Sequence, residues 1–370
     1  MILTLFASFF TMVGFYLLLS VVPLYAEEAG GGNSGAGLAT AVFMLSTVLA
    51  QVWMPRVLAR FGYRSVLAAG LLLLGLPAFL YAPLEEVPAI LAVTLARGAG
   101  FGGAIVALAA LVTELAPPGR RGAALGLYGV VLTLPTIFCS ALGLWLVERF
   151  GYEPVFLLGA SAPLLAFVAA LGISSLDRRE ERGGAGLLSG LRRGPLLRIF
   201  LLFASCTAAS GVVVTFLPLA APGSGPFAAA TALLLLGVAS TSFRWWAGHF
   251  GDRRNPSLLL APALLCAALG MVFLSLEGFA LLGGALLFGA GFGTLQSTTL
   301  LLTMERVPKA DYGLGSTLWN VAFDTGTGAG AFVFGFVVGA AGFSWAFFLC
   351  AGLLVAALGL IFCSGDGELS

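Results

Sequence analysis

Gly98-Ala-Gly-Phe-Gly102 returns letter for letter as Gly289-Ala-Gly-Phe-Gly293. The register holds outward from there, with 191 residues separating Glu114 from Glu305, Gly122 from Gly313, and Val155-Phe-Leu-Leu from Ala346-Phe-Phe-Leu. An ungapped correspondence over about 60 residues marks an internal repeat and exceeds what shared Leu, Ala and Gly richness supplies. Each pentapeptide lies within an apolar run of roughly the 20 residues that a helix needs to cross a bilayer core. The repeat therefore predicts two membrane-embedded halves built on one plan.

Composition agrees. Of 370 residues, 59% are apolar and 9% charged, whereas soluble domains carry about 45–50% and about 25%. That excludes a water-soluble enzyme. Apolar runs near 3–25, 36–58, 65–84, 88–113, 122–147, 154–174, 197–219, 228–247, 257–275, 279–303, 313–338 and 343–363 predict twelve transmembrane helices. Continuous runs such as Leu71–Leu76 lack the alternation of a membrane β-barrel, which leaves helices as the spanning element. The first run starts almost at Met1 and has no small-residue cleavage site before Pro23, so it reads as a retained helix. The expected fold is an all-α membrane protein of two pseudo-symmetric six-helix bundles, 1–175 and 197–370. The charged, glycine-rich stretch 176–196 reads as a cytoplasmic linker between them.

Charge sets the orientation. Of 18 cationic side chains, all but Arg97 and Arg149 fall at the face that also carries the N-terminus, while Glu27, Glu28, Glu85, Glu86 and Glu277 lie at the other. The positive-inside rule then places both termini in the cytoplasm of a multi-pass protein of the cell (inner) membrane. With a net charge of +1 and no basic patch interleaved with aromatics, nucleic acid is not an expected partner. The five cysteines show no CxxC spacing, so no metal or other cofactor is expected, and His249 reads as an interfacial side chain. The expected partners are the lipid bilayer and a small-molecule substrate, with the chain acting as a monomer.

A second correspondence sets Gln51, Pro55, Ala59 and Arg60 against Arg244, Gly248, Asp252 and Arg253. Two six-helix halves in one orientation form the parallel-repeat arrangement of a large transporter fold. Arg244-Trp-Trp-Ala-Gly248-His-Phe-Gly-Asp252-Arg253 resembles the R-x-x-x-G-x-x-x-D-R loop signature of the major facilitator superfamily. Arg97-Gly-Ala-Gly-Phe-Gly102 is similar to its fourth-helix R-G-x-G-x-G segment, followed by Pro118-x-x-Arg121-Gly122. Together with Asp324-Thr-Gly-Thr-Gly-Ala-Gly330, Pro118–Gly129 most resembles the twelve-helix drug:proton and sugar-efflux-like branch. The chain departs from the pattern at Pro55 and Ala59, where the family usually has Gly and Asp. It departs again at Cys139-Ser140-Ala-Leu-Gly143, where exporters often carry G-P-x-x-G, and in a first span without an acid.

The resemblance implies a secondary transporter working by alternating access. Proton-coupled efflux of amphipathic or drug-like molecules is the leading expectation, with a sugar or metabolite symporter or facilitator as the alternative that the altered fifth span keeps open. A non-transporting membrane sensor would not need deep charges and a gate together. No nucleophile–His pair, metal spacing or nucleotide motif points to an enzyme.

Charged groups within spans are costly, about 2.5–3.5 kcal/mol for Arg or Asp on insertion scales. Asp324 and Arg97 are therefore the first candidates for proton coupling. A carboxyl at membrane depth favours its neutral form, as a proton carrier requires; a structural hydrogen bond to a neighbouring helix is the alternative for Asp324. Arg97 could bind a substrate anion, pair with an acid or satisfy backbone carbonyls. Gln296 and Asn320 are the neutral cavity candidates, because Ser and Thr in spans usually bond back to their own helix. Arg244, Gly248, Asp252 and Arg253, with Glu114, Arg121 and Glu305, are the expected cytoplasmic gate, Arg244 reaching back toward Asp252.

Overall fold

The computed structural model describes residues 1–115, 121–173, 190–220, 228–308 and 312–362, apart from the side chains of 55, 113, 121–126, 312–313 and 362. Most of the expected linker, with Arg120, Lys309 and Cys363, lies outside these residues. The helices are α1 (Ile2–Leu19, prolonged by Val21–Ala26), α2 (Gly32–Phe61), α3 (Tyr63–Gly75, prolonged by the 3-10 turn Leu76–Tyr81), α4 (Val87–Leu115), α5 (Arg121–Phe150) and α6 (Tyr152–Leu171). They continue as α7 (Gly194–Ala220), α8 (Ala228–Gly251), α9 (Leu260–Leu274, entered through the 3-10 turn Pro256–Leu259), α10 (Phe279–Glu305), α11 (Tyr312–Ala341) and α12 (Phe343–Ala357). No strand occurs among the described residues.

Eleven segments are long and apolar enough to cross a membrane, the first running from Ile2 to Met54. As one straight helix its 53 residues would reach about 80 Å, far beyond the ~30 Å of hydrocarbon. The backbone breaks at Gly30 (φ 92°) and Gly32 (φ 55°), which makes this segment two spans. The twelve expected spanning helices are thus present. Large apolar side chains remain exposed on their outer faces, among them Leu157, Leu165, Val333 and Trp345. In a bilayer these are solvent contacts, since only helices with internally satisfied backbones can cross it.

Contacts divide the chain into Met1–Arg182 and Gly183–Ser370. Within the first unit α4 packs on α2 and α3, and α1 packs on α5 and α6; within the second, α10 packs on α8 and α9, and α7 packs on α11 and α12. The packing plan repeats as the sequence does.

The shared pentapeptide explains the first of these pairings. Between apolar helices in lipid there is no hydrophobic attraction, so association relies on close backbone approach, which small residues permit. A Cβ on Gly98 or Gly102 would strike the carbonyls of Phe43 and Thr47 on α2, and one on Gly100 would sit 2.6 Å from the Gly70 carbonyl on α3. In the second unit Gly289 and Gly293 lie against Leu236 and Ser240 of α8, and a Cβ on Gly291 would sit 2.5 Å from the Ala263 carbonyl of α9. Glycines on opposite sides of one helix thus serve two neighbours in each copy. Gly143 meets the Leu17 carbonyl of α1, as Gly330 meets that of Ala208 on α7.

The turns repeat too. Gly151 (φ 79°) and Gly342 (φ 89°), again 191 residues apart, join α5 to α6 and α11 to α12 through a single residue in the left-handed region. Such a conformation costs a side-chain-bearing residue about 1 kcal/mol or more. Pro135 lies inside α5 and cannot donate to the Val131 carbonyl one turn back.

Gly100→Ala and Gly291→Ala are each expected to destabilise the protein by about 1–3 kcal/mol through overpacking, read as a lowered unfolding midpoint in detergent. Gly129→Ala, where a Cβ meets nothing within 4 Å, should be neutral or slightly stabilising.

Candidate functional site

Arg97 lies ten residues into α4, about 15 Å along the helix axis and thus near mid-membrane. Its side chain is only 2% exposed. Nε donates to the Leu74 carbonyl at 3.1 Å, and one terminal nitrogen donates to the Gly14 carbonyl at 3.2 Å. Pro77, which has no N–H to offer back along the chain, follows Leu74, and the backbone tightens there into the 3-10 turn that delivers Tyr81. The guanidinium stands 5.6 Å from the Tyr81 ring and 5.8 Å from the Phe43 ring. Tyr81 is fixed in turn by a 2.8 Å hydrogen bond between its hydroxyl and that of Thr94. Carbonyl dipoles from α1 and α3 and two ring faces therefore compensate the charge, desolvated cation–π contacts contributing about 2 kcal/mol each. A cavity of about 20 Å³ beside it, lined by Phe15, Val22, Thr40, Phe43, Thr94 and Arg97, has room for about one water molecule. Of the three roles open to Arg97 from sequence, satisfaction of backbone carbonyls is directly visible.

In the second unit Asp324 is buried on α11, 6% exposed. Its helix is clasped by α7: Gly326 lies against Ala204 and Thr207, Gly330 against Ala208, and the Thr207 hydroxyl donates to the Ala322 carbonyl at 3.2 Å. Asn320, one turn before Asp324, turns its amide back onto the Ser316 carbonyl at 2.9 Å. Gln296 is buried and accepts at Oε1 from Arg244 at 3.0 Å.

That bond is the part of the site that sequence reasoning missed. Expected within the eighth run as a gate residue reaching toward Asp252, Arg244 stands seven residues before the end of α8, about 10 Å inside it. Its guanidinium links Gln296 of α10 to the face of Trp319 on α11, 5.8 Å from the ring centroid. The Trp319 indole donates to the Thr299 hydroxyl at 3.1 Å and stacks on Phe203 of α7 at 4.7 Å. One cation and one indole thus connect α7, α8, α10 and α11. The apolar run 228–247 already placed Arg244 inside the helix; no sequence signal pointed to its partner on α10.

The remaining gate candidates are less convergent. Asp252, Arg253 and Glu305 are exposed, Arg253 and Glu305 lining one polar depression, while Gly248 is half-buried at the end of α8. Glu114 is half-buried in the last turn of α4, and the Arg121 side chain lies outside the described ones. Hydroxyls in the spans bond back along their own helices as expected: Ser8 to Thr4, Thr11 to Ala7, Thr294 to Ala290 and Thr327 to Phe323. His249 is exposed, its ring tilted at 45° against that of Trp245 with centroids 4.4 Å apart. No group of residues suited to holding a metal occurs among the described residues.

Comparison with known proteins gives the following. Residues 4–330 match the family model of the Major Facilitator Superfamily. The quinolone resistance protein NorA of Staphylococcus aureus is 21% identical over 179 residues, 48% of this chain and 46% of that relative. An uncharacterized MFS-type transporter of Mycobacterium tuberculosis is 27% identical over 207 residues, covering 50% of this chain and 35% of that relative. The match thus spans less than half the length of these curated relatives. Among solved structures, the xylose transporter XylE from E. coli in an inward-open conformation aligns with a TM-score of 0.75 at 16% identity, covering 97% of this chain and 95% of that one. The nucleoside transporter NupG aligns with a TM-score of 0.73 at 17% identity, covering 98% and 99%. At such identities these likenesses report the fold.

Arg97→Lys is expected to destabilise the protein by about 1–3 kcal/mol, because one ammonium cannot bridge carbonyls on two helices as the planar fork does; thermal unfolding of the purified variant measures it. A double-mutant cycle on Arg244→Ala and Gln296→Ala should return a coupling of about 0.5–3 kcal/mol, against none for Arg244→Ala paired with Ser205→Ala.

Proposed function

Because the chain belongs to the major facilitator superfamily, a family of secondary transporters working by alternating access, we propose that it exports small amphipathic or drug-like molecules in exchange for protons. The observation that carries this reading is the buried Asp324, a carboxyl held at membrane depth in α11. Such a group is cheapest when neutral, so proton uptake from one face and release to the other couples its charge state to the conformational cycle. The quinolone resistance protein among the relatives supports the choice of cargo.

Arg97 contributes a fixed positive potential in the first unit. The Arg244–Gln296–Trp319 chain holds the inner part of the second unit in register, and Asp252, Arg253, Glu114, Arg121 and Glu305 serve the inner-face gate. The chain operates as a monomer in the cell membrane with both termini in the cytoplasm.

One observation favours a second reading, symport or facilitated diffusion of a sugar or metabolite. Where exporters often carry Gly-Pro, α5 has Cys139-Ser140, and the Ser140 hydroxyl donates to the Tyr16 carbonyl at 3.1 Å, fastening α5 to α1.

In proteoliposomes, Asp324→Asn is expected to lose at least about tenfold of the transport driven by a pH gradient while retaining substrate exchange. Undiminished proton-driven transport in this variant overturns the assignment of Asp324. The direction of proton flow on substrate addition to the wild-type protein separates antiport from symport, and absence of flow marks facilitated diffusion.

A further inference from the structure

A depression of about 390 Å³ opens where the end of α8 meets the end of α10. Arg253 and Arg254 enter it from the α8–α9 loop and Arg306 from the residue after α10, with Asn255 beside them and Pro256 and Leu302 forming the floor. Glu305 supplies the single opposing charge among the lining residues. Three arginines from two separate stretches of chain thus line one polar hollow, the Arg254 guanidinium 5.7 Å from the Phe250 ring and one terminal nitrogen of Arg306 donating to the Leu302 carbonyl at 3.1 Å; the N–H groups that remain suit a tetrahedral oxyanion, which planar forks engage through paired oxygens. The Asn255 side chain caps the following 3-10 turn by accepting from the Ser257 backbone N–H at 2.9 Å, which holds the loop that presents Arg253 and Arg254. The size exceeds that of a bare phosphate and admits a phosphate bearing a small polar substituent.

The surroundings place this hollow at the level of lipid headgroups. Trp245 and Trp246, on the last two turns of α8, are 67% and 45% exposed, and Leu258, just past the arginines, is 64% exposed. Exposed tryptophans at the end of a span mark the bilayer interface, and basic pockets at that depth receive anionic headgroups.

We infer that this hollow binds a phosphate-bearing anion, supplied by the headgroup of an anionic lipid or by a free phosphate compound. No transport step enters the inference, so it stands or falls separately from the proposed efflux. The opposing Glu305 carboxylate lowers affinity, and the arginines each raise it by about fivefold, the equivalent of one interfacial charge.

The test uses the full chain purified in a neutral detergent, with the unfolding midpoint followed against dioctanoyl phosphatidylglycerol, dioctanoyl phosphatidylcholine and inorganic phosphate. Phosphatidylglycerol is expected to raise the midpoint of the wild-type protein and phosphatidylcholine to leave it unchanged. The double variant Arg253→Gln, Arg306→Gln should bind phosphatidylglycerol at least about tenfold more weakly, and Glu305→Gln about fivefold more tightly. A gain in Glu305→Gln keeps the site testable even if the arginine variants fold poorly. A midpoint shift with inorganic phosphate equal to that with the lipid, and lost in the double variant, supports the site and assigns a free phosphate compound. Retention of the lipid effect in a folded double variant, or no shift with either anion, overturns the inference.

Discussion

Every helix pair in this molecule must be held without help from water, and the glycine faces of α4 and α10 are where that constraint is met. Lipid tails solvate Leu as well as another helix does, so attraction arises only where backbones come close enough for dispersion contacts to add up. Gly98, Gly100 and Gly102 bring α2 and α3 onto α4, and Gly289, Gly291 and Gly293 do the same for α8 and α9 on α10. Fixing three helices around a shared axis also fixes what the neighbouring side chains can reach. Arg97 precedes Gly98 directly, and its guanidinium meets the Leu74 carbonyl of α3 because Gly100 has let that helix in.

The two units share a scaffold and differ in where they place charge. The position equivalent to Arg97 in the repeat is Phe288, fully buried and stacked on Phe292 at 5.8 Å. The position equivalent to Arg244 is Gln51, also buried. Arg97 thus stands near the middle of α4 in the first unit, and Arg244 stands seven residues before the end of α8 in the second. Both are satisfied in the same manner, by oxygen acceptors and the face of an aromatic ring, which is the least expensive arrangement for a guanidinium away from water.

The sequence made some of this legible and hid the rest for identifiable reasons. The helices were readable because bilayer thickness imposes a run length, and the duplicated packing because glycine is the residue type that permits contact at 2.5–2.6 Å from a Cβ position. Asp324 and Arg97 were readable as candidates because a charge within an apolar run is rare. Partners were not readable. Tyr81 reaches Arg97 only because the chain tightens around Pro77, and Gln296 reaches Arg244 across 52 residues of sequence. Arg244 was readable inside the eighth run, but its partners Gln296 and Trp319 lie on other helices and no sequence spacing points to them.

Pro135 removes one backbone hydrogen bond from inside α5, as Pro163 does in the adjacent α6. A helix resists bending through its ladder of backbone bonds, and one missing rung concentrates compliance at a single level. α4, tied to α1 and α3 by a buried cation, moves as a stiff strut: displacing it breaks charged hydrogen bonds in a medium of low dielectric. α5 is secured to α1 by the Ser140 hydroxyl and the Gly143 contact, both on the far side of Pro135 from the α4–α5 loop. On the other side of Pro135, Tyr128 is buried among side chains of α2, α3, α4 and α6, so α5 is anchored separately above and below its one missing backbone bond.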